Sequence, residues 1–500
     1  MKPPAPSALV SRPFFLPPIA DRLRWVLKRA GVREAFFRDA IMGDHTFSDP
    51  IHTAIRLTAE EHELVATRAF RRLRRVHQLA MMHMVYPGAT HSRLEHSLGV
   101  MELATRIFDI ITDPANVLDE VRAALPELSD PQQCGYWRCV LRVAALCHDL
   151  GHLPFSHAAE RTMLPPGWNH EGLTRAVILG EDVGGVIDGI GLRRLDVAKL
   201  AVGPREAPEL RFSAWERILS QIIVADAFGA DRIDYLLRDP CRAGVRCPGF
   251  DHLRLIAALR ILPPPPQSSD RGAEQAAAGQ EPAGNAGDPR TPREPSLGML
   301  DVGLRPAESL VRARHFLFAR IFHQHALCAY DLHFADFLRD WLPQGKYPVG
   351  VPEHLKTNDD HVAAACNEAA EDARAAGYEA ARCIVRRAPF QLLYHGRPGS
   401  LRPRYSAARA IYEAARRHFG PAGVRWTVRT VRSGWLQFPV RMKHGAIALS
   451  TAVSPCLARP PAARAEYVFV APKWRDRARR WLTARDQATV KRNEDHYQAV

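Results

Sequence analysis

"VLRVAALCHDLGHLPFSH", residues 140–157, is the stretch that decides how this chain is read. Its first half is apolar at three-and-four spacing, the pattern of a buried helix. Its second half places His148, Asp149, His152 and His157 within ten positions. Pro154 would clash with the carbonyl of Leu150, so the helix is expected to end near Leu150, with His157 on the segment beyond. His148 and His152, four apart, are expected to share a face, with Asp149 offset by one position. A helix C-terminus decorated to complement its dipole accounts for one histidine, but not for three and an aspartate. Adjacent His and Asp offer mixed nitrogen and oxygen coordination suited to Fe, Mn, Ni, Co or Zn, and nothing in the stretch selects among them.

Upstream, "VYPGATHSRLEHSLGVMELATRIFD" (85–109) turns at Pro87-Gly88. Ser92 followed by Glu95 is a capping-box pattern, so a helix should start there with Arg93 and His96 on one face of its first turn. Arg and imidazole at a helix N-terminus suit a metal beside a phosphate, although His96 taken alone reads as an ordinary partly buried histidine. Downstream, "ADAFGADRIDYLLRDPCRAG" (225–244) spaces Asp231, Tyr235 and Asp239 as a polar stripe flanked by Arg232 and Arg238. Taken in isolation, that segment reads as surface residues in i,i+4 pairs with Arg.

The rest of the chain sets bounds. Five hundred residues suggest one large helical domain plus smaller pieces. A net charge of +14, overwhelmingly from Arg, attracts anions: nucleotides, phosphorylated substrates or nucleic acid. Nine cysteines without a CxxC pair fit reduced thiols in a cytoplasm. No segment reads as a signal peptide or a membrane span. Residues 1–45 read as a Pro-rich arm and an amphipathic helix, and 46–262 as mostly helical. Residues 263–296, rich in Pro, Gly, Ala and Gln, read as a disordered insertion. Helical pattern resumes over 297–397. Over 398–500, "VRWTVRTV", "AIALSTAV" and "AEYVFVA" alternate with "YSAARAIYEAARRHF" and "WRDRARRWLTAR", a small α/β region.

In order, His96, His148-Asp149 and Asp231 give the H…HD…D pattern of the HD-domain metal-dependent phosphohydrolases. Together with "HDLGHLPFSH", "WNHE" and "DRIDYLLRD", the chain resembles the deoxynucleoside triphosphate triphosphohydrolase branch, which includes dGTPases and the sterile-alpha-motif-and-HD type. The resemblance runs from about residue 47 to 262 and again over 297–394. It implies a mainly α fold: an HD-domain helical core with a small C-terminal α/β appendage. It implies hydrolysis of dNTPs, dGTP among them, to deoxynucleoside and inorganic triphosphate in the cytoplasm. The implied cofactor is a divalent metal ion (Mn, Fe, Ni, Co, Zn or Mg) held by His96, His148, Asp149 and Asp231.

The same resemblance makes His152, His157, Glu160 and His170 a catalytic cluster, with Glu160 standing where the family usually has Asp. It places Arg93, Arg232 and Arg314 of "VRARHFLFARIF" on the phosphates. Gln78 and Leu79 of "VHQLA" would face the sugar, Tyr235 would pack on it, and Asp239 would accept from its 3′-hydroxyl. An apolar wall at Leu79 disfavours ribose. The implied partners are the dNTP, a nucleotide effector and a further copy of the chain in a homo-oligomer, with no membrane; the basic charge admits nucleic acid as well. Two departures bear on these expectations. Phe322-His323-Gln324-His325 replaces the Tyr-x-His-Lys of relatives, and Ala66 stands where vertebrate members carry an aspartate that reads the activating guanine. Two further readings stay open: an HD-type nucleotidase or single-stranded nucleic-acid nuclease, and a nucleotide- or nucleic-acid-binding scaffold with a vestigial site.

Overall fold

The computed structural model describes residues 45–156, 160, 163–265, 294–396, 407–431, 436–461 and 463–485. The arm expected before residue 45, most of the 263–296 segment and His157 lie outside them. In chain order the elements that matter are β1 (His45–Asp49), β2 (Thr53–Leu57), α1 (Arg68–Leu73), α2 (Arg93–Ile111), α3 (Pro131–Cys147), α4 (His170–Leu179), α5 (Arg194–Glu206), α6 (Ala214–Val224) and α7 (Ala230–Ala243). They continue with β3 (Leu259–Leu262), β4 (Ser296–Leu300), α8 (Leu304–Leu317), α9 (His325–Trp341), α10 (Asp359–Glu371), β5 (Gln391–Gly396) and α11 (Ala407–Phe419). The last are β6 (Val424–Val431), β7 (Pro439–Arg441), β8 (Ile447–Leu449) and β9 (Ala463–Val470). The fold is mainly helical with small sheets.

The helical core is built around α2. Ser92 Oγ accepts from Glu95 N at 3.4 Å and Glu95 accepts from Ser92 N at 3.0 Å, so the capping box starts this helix where the spacing predicts. Leu98, Val100, Met101, Leu103, Ala104 and Ile107 are all buried, because α3, α6 and α7 pack around it. At Gly99 α7 comes closest: a Cβ there would lie 2.0 Å from Asp234 Oδ1.

The first strands were not legible in the helical pattern of 46–262. β1 and β2 pair antiparallel, and Asp49 Oδ1 closes their turn by accepting from Ile51 N and His52 N at 2.8 and 2.9 Å. A second difference concerns α3, which stops at Cys147 rather than near Leu150. The following residues form tight turns, with Leu150 N bonding Cys147 O and His152 N bonding Asp149 O, both at 3.1 Å. Buried Arg72 takes the carbonyl of His152 at 2.7 Å, and His354 Nε2 takes that of Leu150 at 3.2 Å. Gly151 lets α4 approach, since a Cβ there would meet His170 O at 2.0 Å. The face shared by His148 and His152 is therefore not helical.

The C-terminal β-like runs form strands. β6 covers "VRWTVRTV" and β9 most of "AEYVFVA", while "AIALSTAV" gives only the short β8 before a helical turn. The sheet β5-β9-β6 carries Leu393, Val424, Val468 and Val470 against α11 and Ala478 on one side. Its other side sets Tyr467 and Phe469 against Cys328 and Ala329 of α9. β7 and β8 complete a second sheet, β3-β4-β7-β8, with β4 and β7 parallel. None of the nine cysteines forms a disulfide. Among the described residues no helix is long and apolar enough to cross a membrane.

Candidate metal centre

His96, His148, Asp149 and Asp231 converge from three elements: the first turn of α2, the turn after α3 and the first turn of α7. His96 Nε2 lies 2.9 Å from Asp231 Oδ1 and 3.9 Å from Asp149 Oδ2. His148 Nε2 lies 3.3 Å from Asp149 Oδ1 and 3.8 Å from Asp231 Oδ1. Three of the four side chains are sealed off, but that of Asp231 is 37% exposed, so a ligand reaches the centre past it.

The tautomers suit a cation. His148 Nδ1–H donates to Ala145 O at 2.8 Å, which leaves the lone pair on Nε2. That nitrogen is buried and has no hydrogen-bond partner among the described residues, a cost unless something else takes it. His96 Nδ1 is held by Asp234 Oδ2 at 2.8 Å, the carboxylate–histidine arrangement that orients metal ligands. Burial alone would push the His96 imidazole down, but its bonds to Asp231 and Asp234 push it up to about 10. Burial would raise the Asp149 carboxyl, but the Arg93 guanidinium beside it holds it well below the carboxylate range. Two nitrogens and two carboxylates that call for positive charge fit a divalent cation.

Asp234 was not singled out in the sequence, and Arg238 was expected only to flank a stripe. Arg238 is in fact fully buried, paired with Asp234 at 2.8 and 2.9 Å and with Asp49 at 2.6 Å. His52 Nε2 completes this network at 2.7 Å from Asp234. Only the packing of α7 against α2 and the β1–β2 turn reveals it.

A second cluster touches the first. His152 Nε2 is 3.3 Å from Asp149 Oδ1, and its ring stacks on His170 at 3.9 Å. His170 donates from Nδ1 and its backbone N to Glu160 Oε1 at 2.6 and 3.0 Å. Burial works against the His170 proton, but the bond to Glu160 leaves its pKa raised. Burial first, and Arg93 next, hold His152 well below its usual value. Arg93 is buried, with Nη1 2.6 Å from Asp149 Oδ2 and Nε 2.9 Å from Ser156 Oγ.

Arg232, Tyr235 and Arg314 gather beside Asp231. Arg232 bonds Asp226 through its carbonyl at 2.5 Å and its carboxylate at 2.8 Å. Among the described residues the buried Arg314 Nε has no hydrogen-bond partner, and the Arg314 pKa is lowered by burial and then by the nearby charge of Arg232. Tyr235 has its phenol pKa raised by burial. Asp239 meets His91 Nε2 at 3.0 Å, and the His91 carbonyl accepts from Gln78 N at 3.0 Å. Gln78 Oε1 is a further buried atom without a partner among the described residues, next to buried Leu79.

Residues 93–201 match the HD domain family, so the chain carries an HD domain. It is 33% identical over 220 residues to the uncharacterized protein YwfO of Bacillus subtilis (strain 168), covering 43% of this chain and 44% of that protein. It is 32% identical over 237 residues to the deoxynucleoside triphosphate triphosphohydrolase SAMHD1 of Homo sapiens, covering 43% of this chain and 36% of that protein. The chain thus spans less than half the length of the curated relatives it matches. The crystal structure of a hypothetical protein from Aquifex aeolicus shares the fold, with a TM-score of 0.67 at 23% identity over 88% of this chain and 99% of that one.

Proposed function

We propose that this HD-domain chain is a metal-dependent phosphohydrolase that cleaves dNTPs, dGTP among them, to deoxynucleoside and inorganic triphosphate. The observation that carries the reading is the lone-pair-bearing Nε2 of His148, without a hydrogen-bond partner among the described residues and close to the carboxylates of Asp149 and Asp231. His96, His148, Asp149 and Asp231 would hold the cation. A bound divalent ion supplies Lewis acidity and positive charge to the phosphate beside it.

The chain's own residues do the remaining work. Arg93 holds the α-phosphate. Arg232 and Arg314 grip the distal phosphates through charge-assisted bonds, with Arg232 releasing Asp226 to do so. Two cations crowded beside Tyr235 favour a triphosphate over a monophosphate, and so over a nucleotidase or nuclease substrate. Water attacks the α-phosphorus and gives its proton to His152, whose depressed pKa keeps it neutral near pH 7. His170, fixed by Glu160, stacks on His152 and holds its ring in place. The bond from phosphorus to the 5′-oxygen breaks, with His157, outside the described residues, assigned to protonate that oxygen. Leu79 walls off a 2′-hydroxyl, Tyr235 packs on the sugar, and Asp239 accepts from its 3′-hydroxyl.

His148→Ala tests the centre. Bound metal and dNTP turnover should both be lost while the melting temperature stays close to the parent's. Full metal content and full turnover in that variant contradict the reading. Assembly into a homo-oligomer and a nucleotide effector belong to the same proposal, and the likeness to the SAMHD1 deoxynucleoside triphosphate triphosphohydrolases supports its substrate class.

A further inference from the structure

Asp359 opens α10, 282 residues after His77 and 204 after Phe155, yet its carboxylate binds both. Oδ2 accepts from His77 N at 2.9 Å and lies 2.6 Å from His77 Nδ1. Oδ1 accepts from Phe155 N at 2.8 Å. The residue is 1% exposed, held by the Asn358 cap and by its own N–H on Arg75 O at 3.1 Å.

Both segments it holds border the centre. Phe155 and Ser156 have φ of 54° and 53°, a left-handed conformation that a bulky side chain keeps only when its surroundings impose it. Ser156 Oγ donates to His77 O at 3.3 Å and accepts from Arg93 Nε at 2.9 Å. Arg93 in turn meets Asp149 at 2.6 Å. On the other side His77, which forms an isolated antiparallel bridge with Ser92, precedes Gln78 and Leu79. A closed circuit of bonds therefore runs from Asp359 through Phe155, Ser156 and Arg93 to the centre, and through His77 to the wall at Leu79.

We propose that Asp359 is a positioning residue that sets Arg93 and Leu79 in one register across the cleft, without touching metal or substrate. The proposal rests on the phosphohydrolase reading above. Both carboxylate oxygens accept from a backbone N–H, so an isosteric amide must turn its NH₂ toward one of those donors. Asp359→Asn thus breaks the circuit with no change of volume.

The test uses the full chain loaded with Mn²⁺ and compares Asp359→Asn, His77→Gln and the control Asp360→Asn, whose exposed carboxylate pairs with Arg75 at the surface. Metal content, melting temperature, kcat and KM on dNTPs, the rNTP-to-dNTP ratio and hydrogen exchange over 153–156 are read for each. Asp359→Asn should lose roughly 10²-fold in kcat, the cost of about 1 Å of misplacement, with metal content kept and exchange over 153–156 faster. His77→Gln, which spares the Phe155 bond, should move the sugar ratio more than kcat, and Asp360→Asn should match the parent. Parental kcat and parental exchange in Asp359→Asn overturn the proposal. If that variant does not fold, His77→Gln decides: an unchanged sugar ratio overturns it. If the parent hydrolyses no dNTP, the functional reading fails, while the exchange comparison still decides whether Asp359 fixes the turn.

Discussion

The two oxygens of Asp234 face His52 Nε2 at 2.7 Å, His96 Nδ1 at 2.8 Å and Arg238 Nε and Nη2 at 2.8 and 2.9 Å. Asp234→Asn keeps the shape but weakens the hold on His96, so metal affinity should fall about 10–100-fold by calorimetric titration, the usual cost of losing such a support. Unchanged affinity would mean that His96 is oriented by Asp231 alone. Gly99→Ala strikes the same pair, because the added Cβ would lie 2.0 Å from Asp234 Oδ1 and 2.5 Å from Arg238 Nη2. Denaturant unfolding should show a loss of about 3 kcal/mol, the upper range for overpacking. At Leu79, replacement by Gly should raise the rNTP-to-dNTP ratio by more than it changes the dNTP rate; a constant ratio would place sugar selection elsewhere. His96, His148, Asp149 and Asp231 stood out in the sequence because their order matches the H…HD…D pattern of the family the chain resembles. Asp234 did not, because one more aspartate beside Arg238 looks like a helix-surface pair until α2 comes within reach through Gly99.

Between elements, α10 and the segment before α2 are joined by a titrating contact. Hydrogen bonding to Asp359 raises the pKa of His77 above 6.5, with burial opposing. A histidine whose folded pKa is raised adds stability that is fully present below the unfolded value and fades as pH rises through the folded one. The stability gap between the parent and His77→Gln should therefore be widest below pH 6.5 and narrow above it; a gap that widens with pH would contradict the contact. The capping box of α2 was legible because Ser92 and Glu95 are local. The end of α3 was legible only approximately, since Pro154 marks a limit, whereas Arg72, His354 and the approach of α4 at Gly151 set the actual stop. Those partners are distant in sequence, and no periodicity reports them.

At the scale of the molecule, the helical core could be read from apolar spacing, and most of the C-terminal strands from their β-branched and aromatic runs. How the pieces join could not. β7 pairs parallel with β4, and Asp359 reaches back to His77 and Phe155, through contacts between residues far apart in sequence. The central claim, that the chain cleaves dNTPs at the α-phosphorus from a centre at His96, His148, Asp149 and Asp231, is tested most directly by resolving its products. The metal-loaded protein is incubated with each dNTP and the mixture separated by chromatography. Deoxynucleoside and intact triphosphate should appear together in equal amounts, and neither should form with His148→Ala. Deoxynucleoside monophosphate with pyrophosphate, or orthophosphate released from a monophosphate, would contradict the account.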